Sequence, residues 1–254
     1  MPDIMTDTNT FKDKLTIVIP ALNEINHISG LLTDVVRQVG SRGIRVIVAD
    51  GGSTDGTREE VLRLAEVYKL DIELELIQGG TVSEGRNRGL ELVTTNYVLF
   101  LDADVTLPSP NTLEAVVKGL KKNWLVTARL RSRSGFPSNI IYRSYNLVMQ
   151  IVANWRPFAV GSFFGTRTCV IRRKGGFRED VVHSEDWLLS GLYPTIKFAF
   201  LSKKILAVVD DRRFKRMGYL GMAKCLWRSL RYGESYMVKD NGYWSDSSLS
   251  RKSK

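Results

Sequence analysis

Four short runs of apolar residues, each followed by a polar or glycine-rich turn, dominate the pattern of the first hundred residues. They cover residues 15–19, 45–49, 72–77 and 97–101, and such lengths are typical of buried β-strands. After the first run, apolar residues recur at helical spacing, at Ile25, Ile28, Leu32, Val35, Val36 and Val39. This alternation predicts an α/β fold with a Rossmann-like, mostly parallel mixed sheet flanked by helices.

Two carboxylates, Asp102 and Asp104, directly follow the fourth apolar run. Open α/β sheets bind ligands at the carboxyl ends of their strands, which is where this pair is placed. Carboxylates so close repel each other unless a cation lies between them, and hard oxygen ligands suit Mg²⁺ or Mn²⁺. The pair therefore predicts a divalent metal site that receives a phosphate ester.

The turns after the second and third runs offer further ligand-binding groups. Residues 50–57 form a glycine-rich turn whose Asp50, Ser53 and Asp55 can contact a ribose, a base or a metal-bound phosphate. Asp50 and Asp55 also suit purely structural turn and helix-capping roles. Arg86 and Arg88 begin the next helix and suit an anionic diphosphate, although helical spacing turns one of them toward solvent.

Six short motifs occur in a fixed order, at residues 16–24, 48–57, 85–89, 100–104, 175–177 and 184–186. Together they resemble the family 2 glycosyltransferases of the GT-A fold, which are inverting enzymes that use nucleotide-sugar donors. The resemblance extends over residues 15–217. It implies a donor site built from Pro20, Asn23, Glu24, Asp50, Ser53, Asp55, Arg86, Asp102 and Ala103.

The same resemblance implies roles for the metal-binding and acceptor-side residues. Asp104 would coordinate Mn²⁺ or Mg²⁺, with Asp102 contacting the ribose or a metal-bound water, and His183 is a weaker candidate ligand. Asp186 is expected to be the general base, because an acceptor hydroxyl must lose its proton as it attacks. Glu185 is the next candidate, and both acids also suit the start of a helix.

Further contacts to the diphosphate or the acceptor are expected from Trp187, Arg212 and Arg213. The segment 131–164 belongs to the acceptor half, and its aromatic residues suit either stacking on a sugar ring, covering a lipid or a core; they are Tyr142, Tyr145, Trp155 and Phe158. The glutamine that often precedes the arginine pair in polymer-forming relatives is missing, so the enzyme is expected to be non-processive.

The 254-residue chain is long enough to bury one substantial core. We expect a flexible leader at 1–14, a catalytic domain at 15–216 with a nucleotide-binding half (15–104) and an acceptor half (105–216), a helix at 217–240 and a disordered tail at 241–254. No apolar run approaches the ~18 residues of a membrane-spanning helix. The two cysteines, Cys169 and Cys225, have no metal-binding spacing and are interpreted as packing residues of a cytoplasmic protein.

Basic residues concentrate near the end of the sequence. Residues 203–254 carry thirteen Lys or Arg and five Asp or Glu, whereas the whole chain has a net charge of +10. Within 217–238, Lys224, Arg228 and Arg231 alternate with Leu, Trp and Tyr, which is typical of an interfacial helix on anionic lipid. Packing of this amphipathic helix on the catalytic core is the other interpretation, and both stay open.

The sequence thus predicts transfer of a sugar from a UDP-sugar, or next from GDP-mannose, to a glycan or lipid-linked acceptor, by a protein that is cytoplasmic or peripheral at the membrane. Nucleotidyl transfer is an alternative, but the first strand is followed by residues 20–24 rather than by a Gly-rich loop with Arg and Lys. A non-enzymatic nucleic-acid-binding protein is the other alternative. Nucleic acid is not an expected partner, because the acidic cluster would repel its phosphates.

Overall fold

The computed structural model describes residues 10–181 and 183–212. The strands are β1 (Leu15–Ala21), β2 (Ile44–Asp50), β3 (Ile72–Gln78), β4 (Tyr97–Leu101), β5 (Leu125–Thr127), β6 (Arg129–Ser132), β7 (Phe163–Arg167), β8 (Phe198–Phe200) and β9 (Leu206–Val209). The helices are α1 (Ile25–Val36), α2 (Thr57–Val67), α3 (Val82–Glu91), α4 (Thr112–Lys122), α5 (Ser138–Val152), α6 (Thr168–Arg173) and α7 (Glu185–Ser190). Arg213, Cys225, the helix expected at 217–240, the tail at 241–254 and most of the leader lie outside the described residues.

Seven strands form one mixed sheet in the order β3-β2-β1-β4-β7-β5-β8. The first four are parallel, β7 runs antiparallel to β4 and β5, and β8 is parallel to β5. β6 and β9 pair separately as a second, two-stranded sheet. The fold class predicted from the hydrophobic pattern, a mostly parallel mixed sheet flanked by helices, is confirmed.

The core lies on both faces of this sheet because successive strand residues point to opposite sides. Ile17 and Ile19 of β1 belong to one buried cluster, whereas Val18 between them belongs to the other. The expected helical stripe ends earlier than predicted: α1 stops at Val36, and Val39 is 43% exposed. Val39 instead donates its backbone N–H to the carbonyl of Pro110 in a connecting loop.

The first strand continues through Pro20 to Ala21, two residues beyond the predicted end. Proline lacks a backbone N–H, so a central strand usually excludes it. Here β4 pairs with β1 only as far as Val18, whereas β2 pairs with it up to Ala21. Pro20 therefore needs no backbone hydrogen bond on the side toward β4. The strand can extend to the edge of the sheet where ligands are expected to bind.

Helix α3 begins at a capping box in which Thr81 and Glu84 satisfy each other's backbone N–H groups. It ends at Glu91. Of its two arginines, Arg86 is buried and Arg88 is exposed, as helical spacing predicted. Cys169 is exposed rather than packed, because it faces outward from α6. No helix within the described ranges has the length and apolar character to cross a bilayer.

Candidate active site

The chemistry-bearing residues converge at one edge of the sheet. Asp50 is the last residue of β2, and Asp102 directly follows β4, so both lie at the carboxyl ends of parallel strands. Strand β7 starts beside the end of β4, because Phe163 pairs with Leu101. This register brings the loop before β7, and with it α7, to the same edge.

Arg86 links the two halves of the site. Its Nη1 donates to Glu185 Oε1 at 2.6 Å and its Nη2 to Asp102 Oδ1 at 2.7 Å. The guanidinium also lies over the Phe177 ring, 5.0 Å from the centroid. Burial opposes the charged form, but the carboxylates of Asp102 and Glu185 outweigh it and raise the pKa of Arg86. In this structure the Arg86 guanidinium is paired with Asp102 and Glu185. Its contact with a diphosphate therefore stays a prediction.

Asp186 is fixed by two backbone groups. Its Oδ2 accepts from the Gly161 N–H at 2.6 Å and its Oδ1 from the Trp187 N–H at 2.7 Å. Burial of the carboxylate and the neighbouring Glu185 raise the pKa of Asp186 to about 7, and Arg86 opposes this shift only in part. A carboxylate with that pKa is suited to proton abstraction near neutral pH.

Asp50 is 1% exposed and organises the loop that follows it. Its carboxylate accepts from the backbone N–H groups of Gly52 and Ser53 at 3.0 and 3.1 Å, and from Arg58 Nη1 at 3.1 Å. Asp50 therefore has the structural role in the turn that the sequence analysis left open for it. These bonds also shape the loop that the resemblance assigns to the nucleotide.

The loop after β1 is joined to the loop after β2 by side chains predicted to bind the donor. Ser53 Oγ accepts from the Asn23 N–H at 2.9 Å, and Asn23 Oδ1 accepts from the Thr54 N–H at 2.9 Å. Asp55 accepts from the backbone N–H groups of Ile25 and Thr57. Asn23 adopts a φ of 55°, a left-handed conformation that asparagine tolerates. The two loops thus form one connected rim.

A second arginine, Arg212, holds the opposite side of the edge. Its Nη2 lies 2.9 Å from Glu24 Oε1 and 3.2 Å from Asp104 Oδ2. His27 lies between Glu24 and Asp210, with its ring nitrogens 3.0 and 3.3 Å from their carboxylates. Burial raises the pKa of Glu24, against the effect of Arg212. His27 was not predicted to belong to the site, because its acidic neighbour Asp210 is distant along the chain.

Three other residues that were predicted for the site are Pro20, Ala103 and His183. Pro20 and Ala103 are buried beside the rim, and Arg212 is the last described residue. His183 is 1% exposed, and its Nδ1 lies 3.0 Å from Ser184 Oγ. No group of three or more His, Cys, Asp and Glu residues within 10–181 and 183–212 is arranged to hold a metal ion by itself.

Arg156, which was not predicted from the sequence, contacts a residue that was predicted for the acceptor side. The Arg156 guanidinium stacks on the Trp187 ring, 3.7 Å from the centroid. It lies against Gly191, where an added Cβ would come within 2.4 Å of it. Burial lowers the pKa of Arg156. The sequence analysis predicted Trp187 for the site but not Arg156, because the two residues are distant along the chain.

Comparison with curated proteins gives two informative relatives. The "Succinoglycan biosynthesis protein ExoA" of Rhizobium meliloti is 46% identical over 112 residues, covering 42% of this chain and 31% of that protein. The "PGL/p-HBAD biosynthesis glycosyltransferase" of Mycobacterium tuberculosis is 26% identical over 201 residues, covering 77% of this chain and 66% of that protein. The chain therefore spans less than two thirds of the length of these relatives.

Solved structures share the fold. A mannosyltransferase from Pyrobaculum calidifontis, in complex with GDP-Man and Mn²⁺, gives a TM-score of 0.65 at 25% identity and covers 86% of this chain and 66% of its own. TarS 1-349 of S. aureus, in complex with UDP-GlcNAc, gives a TM-score of 0.60 at 20% identity over 78% of this chain and 59% of its own. The model described as "Glycosyl transferase family 2" matches residues 16–181, well over half of the sequence. The resemblance seen in the motifs is thereby confirmed: the chain belongs to glycosyl transferase family 2.

Proposed function

We propose that this protein is an inverting, non-processive glycosyltransferase that moves a sugar from a nucleoside-diphosphate donor to an acceptor hydroxyl. The observation that carries the proposal is the environment of Asp186, a carboxylate held by two backbone N–H groups with its pKa raised to about 7. Family membership supports the same reaction class.

The donor is assigned to the rim formed by the loops after β1 and β2. Asp50 is the candidate for the base or ribose, because its carboxylate ends β2 at the ligand edge. A glycosyl donor bound there has its diphosphate directed toward Asp102 and Asp104 at the end of β4, the arrangement expected at a parallel sheet edge. The neighbours solved with GDP-Man and UDP-GlcNAc support a nucleotide sugar as the donor class. Within that class the family resemblance favours UDP-sugars first and GDP-mannose next.

The two carboxylates after β4 fit a divalent cation that arrives with the diphosphate. Asp102 and Asp104 supply the hard oxygen donors that Mn²⁺ and Mg²⁺ prefer, and with so few protein donors the diphosphate would complete the ligand set. When bound, the cation would offset negative charge on the leaving diphosphate. Arg212 already pairs with Asp104 and contributes positive charge to the same place.

On the acceptor side, Asp186 takes the proton of the attacking hydroxyl. The acceptor oxygen forms a bond to the anomeric carbon as the carbon–oxygen bond to the diphosphate breaks, and the diphosphate leaves with the electron pair. Attack from the side opposite the leaving group inverts the anomeric configuration. The stacked pair of Arg156 and Trp187 forms the wall against which the acceptor is positioned. A glycan acceptor is supported by the name of the relative in succinoglycan biosynthesis, and a lipid-linked acceptor stays a prediction.

Calorimetry with UDP, GDP, dTDP and CMP, each with Mn²⁺ and with EDTA, tests the donor assignment. We expect one nucleoside diphosphate to bind more tightly with Mn²⁺, because Asp102 and Asp104 would hold the cation and the cation would offset the charge of the diphosphate. The Asp104→Asn variant should bind the nucleotide with little dependence on Mn²⁺. Equal binding by the wild type with Mn²⁺ and with EDTA would contradict the metal assignment, and absence of binding by all four would contradict the donor site.

A further inference from the structure

Helix α5 presents an apolar face to solvent in the acceptor half. Its outward positions, with the flanking residues Phe136 and Trp155, form what we call the α5 apolar face: Phe136, Ile140, Leu147, Val148, Ile151 and Trp155. The outermost members are highly exposed, with Phe136 at 82% and Trp155 at 77%. Several large apolar side chains exposed on one helix of a folded protein are typical of a surface that contacts another molecule.

The inward face of α5 is already satisfied. Tyr142 and Met149 are buried in the main core cluster. Asn146 exchanges two hydrogen bonds with the backbone of Leu130 in β6, with donor–acceptor distances of 3.0 and 2.8 Å. Because these contacts fix the rotation of the helix, the outward apolar residues cannot turn inward. Within residues 10–181 and 183–212 they face outward.

The charged residues of α5 and of the adjoining β6 are all basic: Arg143 on α5, and Arg129 and Arg131 on β6. Arg143 on α5 and Arg131 on the adjoining β6 are exposed beside the apolar residues. Apolar side chains that include Trp and Phe, flanked by exposed arginines, are typical of surfaces that lie in the headgroup region of an anionic membrane.

The α5 apolar face is also close to the proposed catalytic centre. The turn after α5 leads from Trp155 directly to Arg156, whose guanidinium stacks on Trp187. Trp187 in turn donates its backbone N–H to Asp186. A surface held by Trp155 would therefore lie next to the acceptor side of the cleft.

We propose that the α5 apolar face docks this protein on an anionic lipid bilayer, with Trp155 and Phe136 inserted at the headgroup level and Arg131 and Arg143 facing the lipid phosphates. This surface is distinct from residues 217–238, which the sequence alone indicated. The proposal deepens the proposed function by placing the acceptor side at the membrane. Its test needs no donor and no turnover, so it can fail while the proposed function stands.

Cosedimentation of the full chain with phosphatidylcholine vesicles, with and without phosphatidylglycerol, tests the docking. We expect binding to the anionic vesicles that weakens with added salt, and a loss of at least ~10-fold in vesicle affinity for Leu147→Glu/Ile151→Glu, since charges would replace the inserted side chains. Matched controls are Leu70→Glu and Ile196→Glu, which alter comparably exposed apolar residues elsewhere and should bind as the wild type does. Circular dichroism of each variant establishes that it is folded.

Fluorescence provides the second measurement. Anionic vesicles should shift the tryptophan emission of the wild type to the blue, and Trp155→Phe should remove most of that shift while the protein still binds. Vesicle binding that is unchanged in Leu147→Glu/Ile151→Glu but lost in Arg228→Glu/Arg231→Glu would overturn the proposal in favour of residues 217–238. Absence of vesicle binding by the wild type, with a dimer in solution that the Leu147→Glu/Ile151→Glu variant loses, would overturn it in favour of a second copy.

Discussion

At the scale of single residues, the site is organised by two guanidinium groups that each hold two acids. Arg86 joins Glu185 to Asp102, and Arg212 joins Glu24 to Asp104. Carboxylates gathered at a sheet edge would otherwise repel one another, and the arginines offset that repulsion.

Removal of the buried guanidinium should destabilise the fold. Arg86→Met leaves the Glu185 and Asp102 carboxylates without their cation, and breaking a buried pair in this way costs about 3–5 kcal/mol in the free energy of unfolding. Urea denaturation measures the change. Arg88→Met is the matched control on the exposed side of α3 and should change the free energy by less than ~0.5 kcal/mol. Equal effects of the two substitutions would contradict the bridging role of Arg86.

The rate should depend on pH through Asp186. Because only the unprotonated carboxylate accepts a proton and its pKa is raised to about 7, kcat should rise roughly tenfold per pH unit below that value and level off above it. Glu185→Gln removes one cause of the raised pKa and should move the rising limb to lower pH. A wild-type rate that is constant from acidic to neutral pH would exclude Asp186 as the base.

The sequence predicted the acids of the site better than their partners. Asp50 and Asp102 could be placed because each ends a buried strand, which local hydrophobicity reveals. The contact of Arg86 with Glu185 joins residues that are 99 positions apart, and the stacking of Arg156 on Trp187 also depends on tertiary structure. Local sequence patterns do not predict contacts between residues that are so far apart along the chain. The ligand-binding and catalytic roles assigned to the predicted site residues, His183, Ala103 and Arg213 among them, stay predictions.

At the scale of elements, α3 is positioned by its close approach to β1. A Cβ added at Gly89 would lie 2.4 Å from Val18 Cγ1, so only glycine lets the helix pack at this depth. The approach places Arg86, one turn earlier, at the ligand edge. The acceptor segment 131–164 shows what the sequence leaves open at this scale. Its aromatic residues suited either a ligand-contacting surface or a core, and in the structure Tyr142 and Phe158 are buried while Trp155 is exposed.

A pair of glycine substitutions tests this packing. Gly89→Ala should lower the free energy of unfolding by about 1–3 kcal/mol, because overpacking forces α3 away from β1. Gly30→Ala, in the exposed part of α1 with no atom within 4 Å of the added Cβ, should instead raise it by up to ~1 kcal/mol through its higher helix propensity. Urea denaturation of both variants checks the signs. Stabilisation by Gly89→Ala would mean that the close approach is not needed.

At the scale of the whole molecule, the reversal of β7 connects the two halves of the chain. The parallel order β3-β2-β1-β4 could be anticipated from the repeated strand–helix pattern, whereas the antiparallel insertion of β7 could not. That insertion brings Gly161 and α7 against the end of β4. The nucleotide-binding half and the acceptor half thus share one edge, where the proposed base is across from the proposed donor.

The most direct test of this account is nucleoside-diphosphate release from UDP-GlcNAc and GDP-mannose by the wild type and by Asp186→Asn, with donor affinity measured in parallel. The account predicts that the wild type turns over at least one donor. It also predicts that Asp186→Asn binds that donor with nearly unchanged affinity but releases product ~10²-fold or more slowly, because the amide cannot accept the proton. Near-normal release by Asp186→Asn, or no turnover of either donor by the wild type, would contradict it.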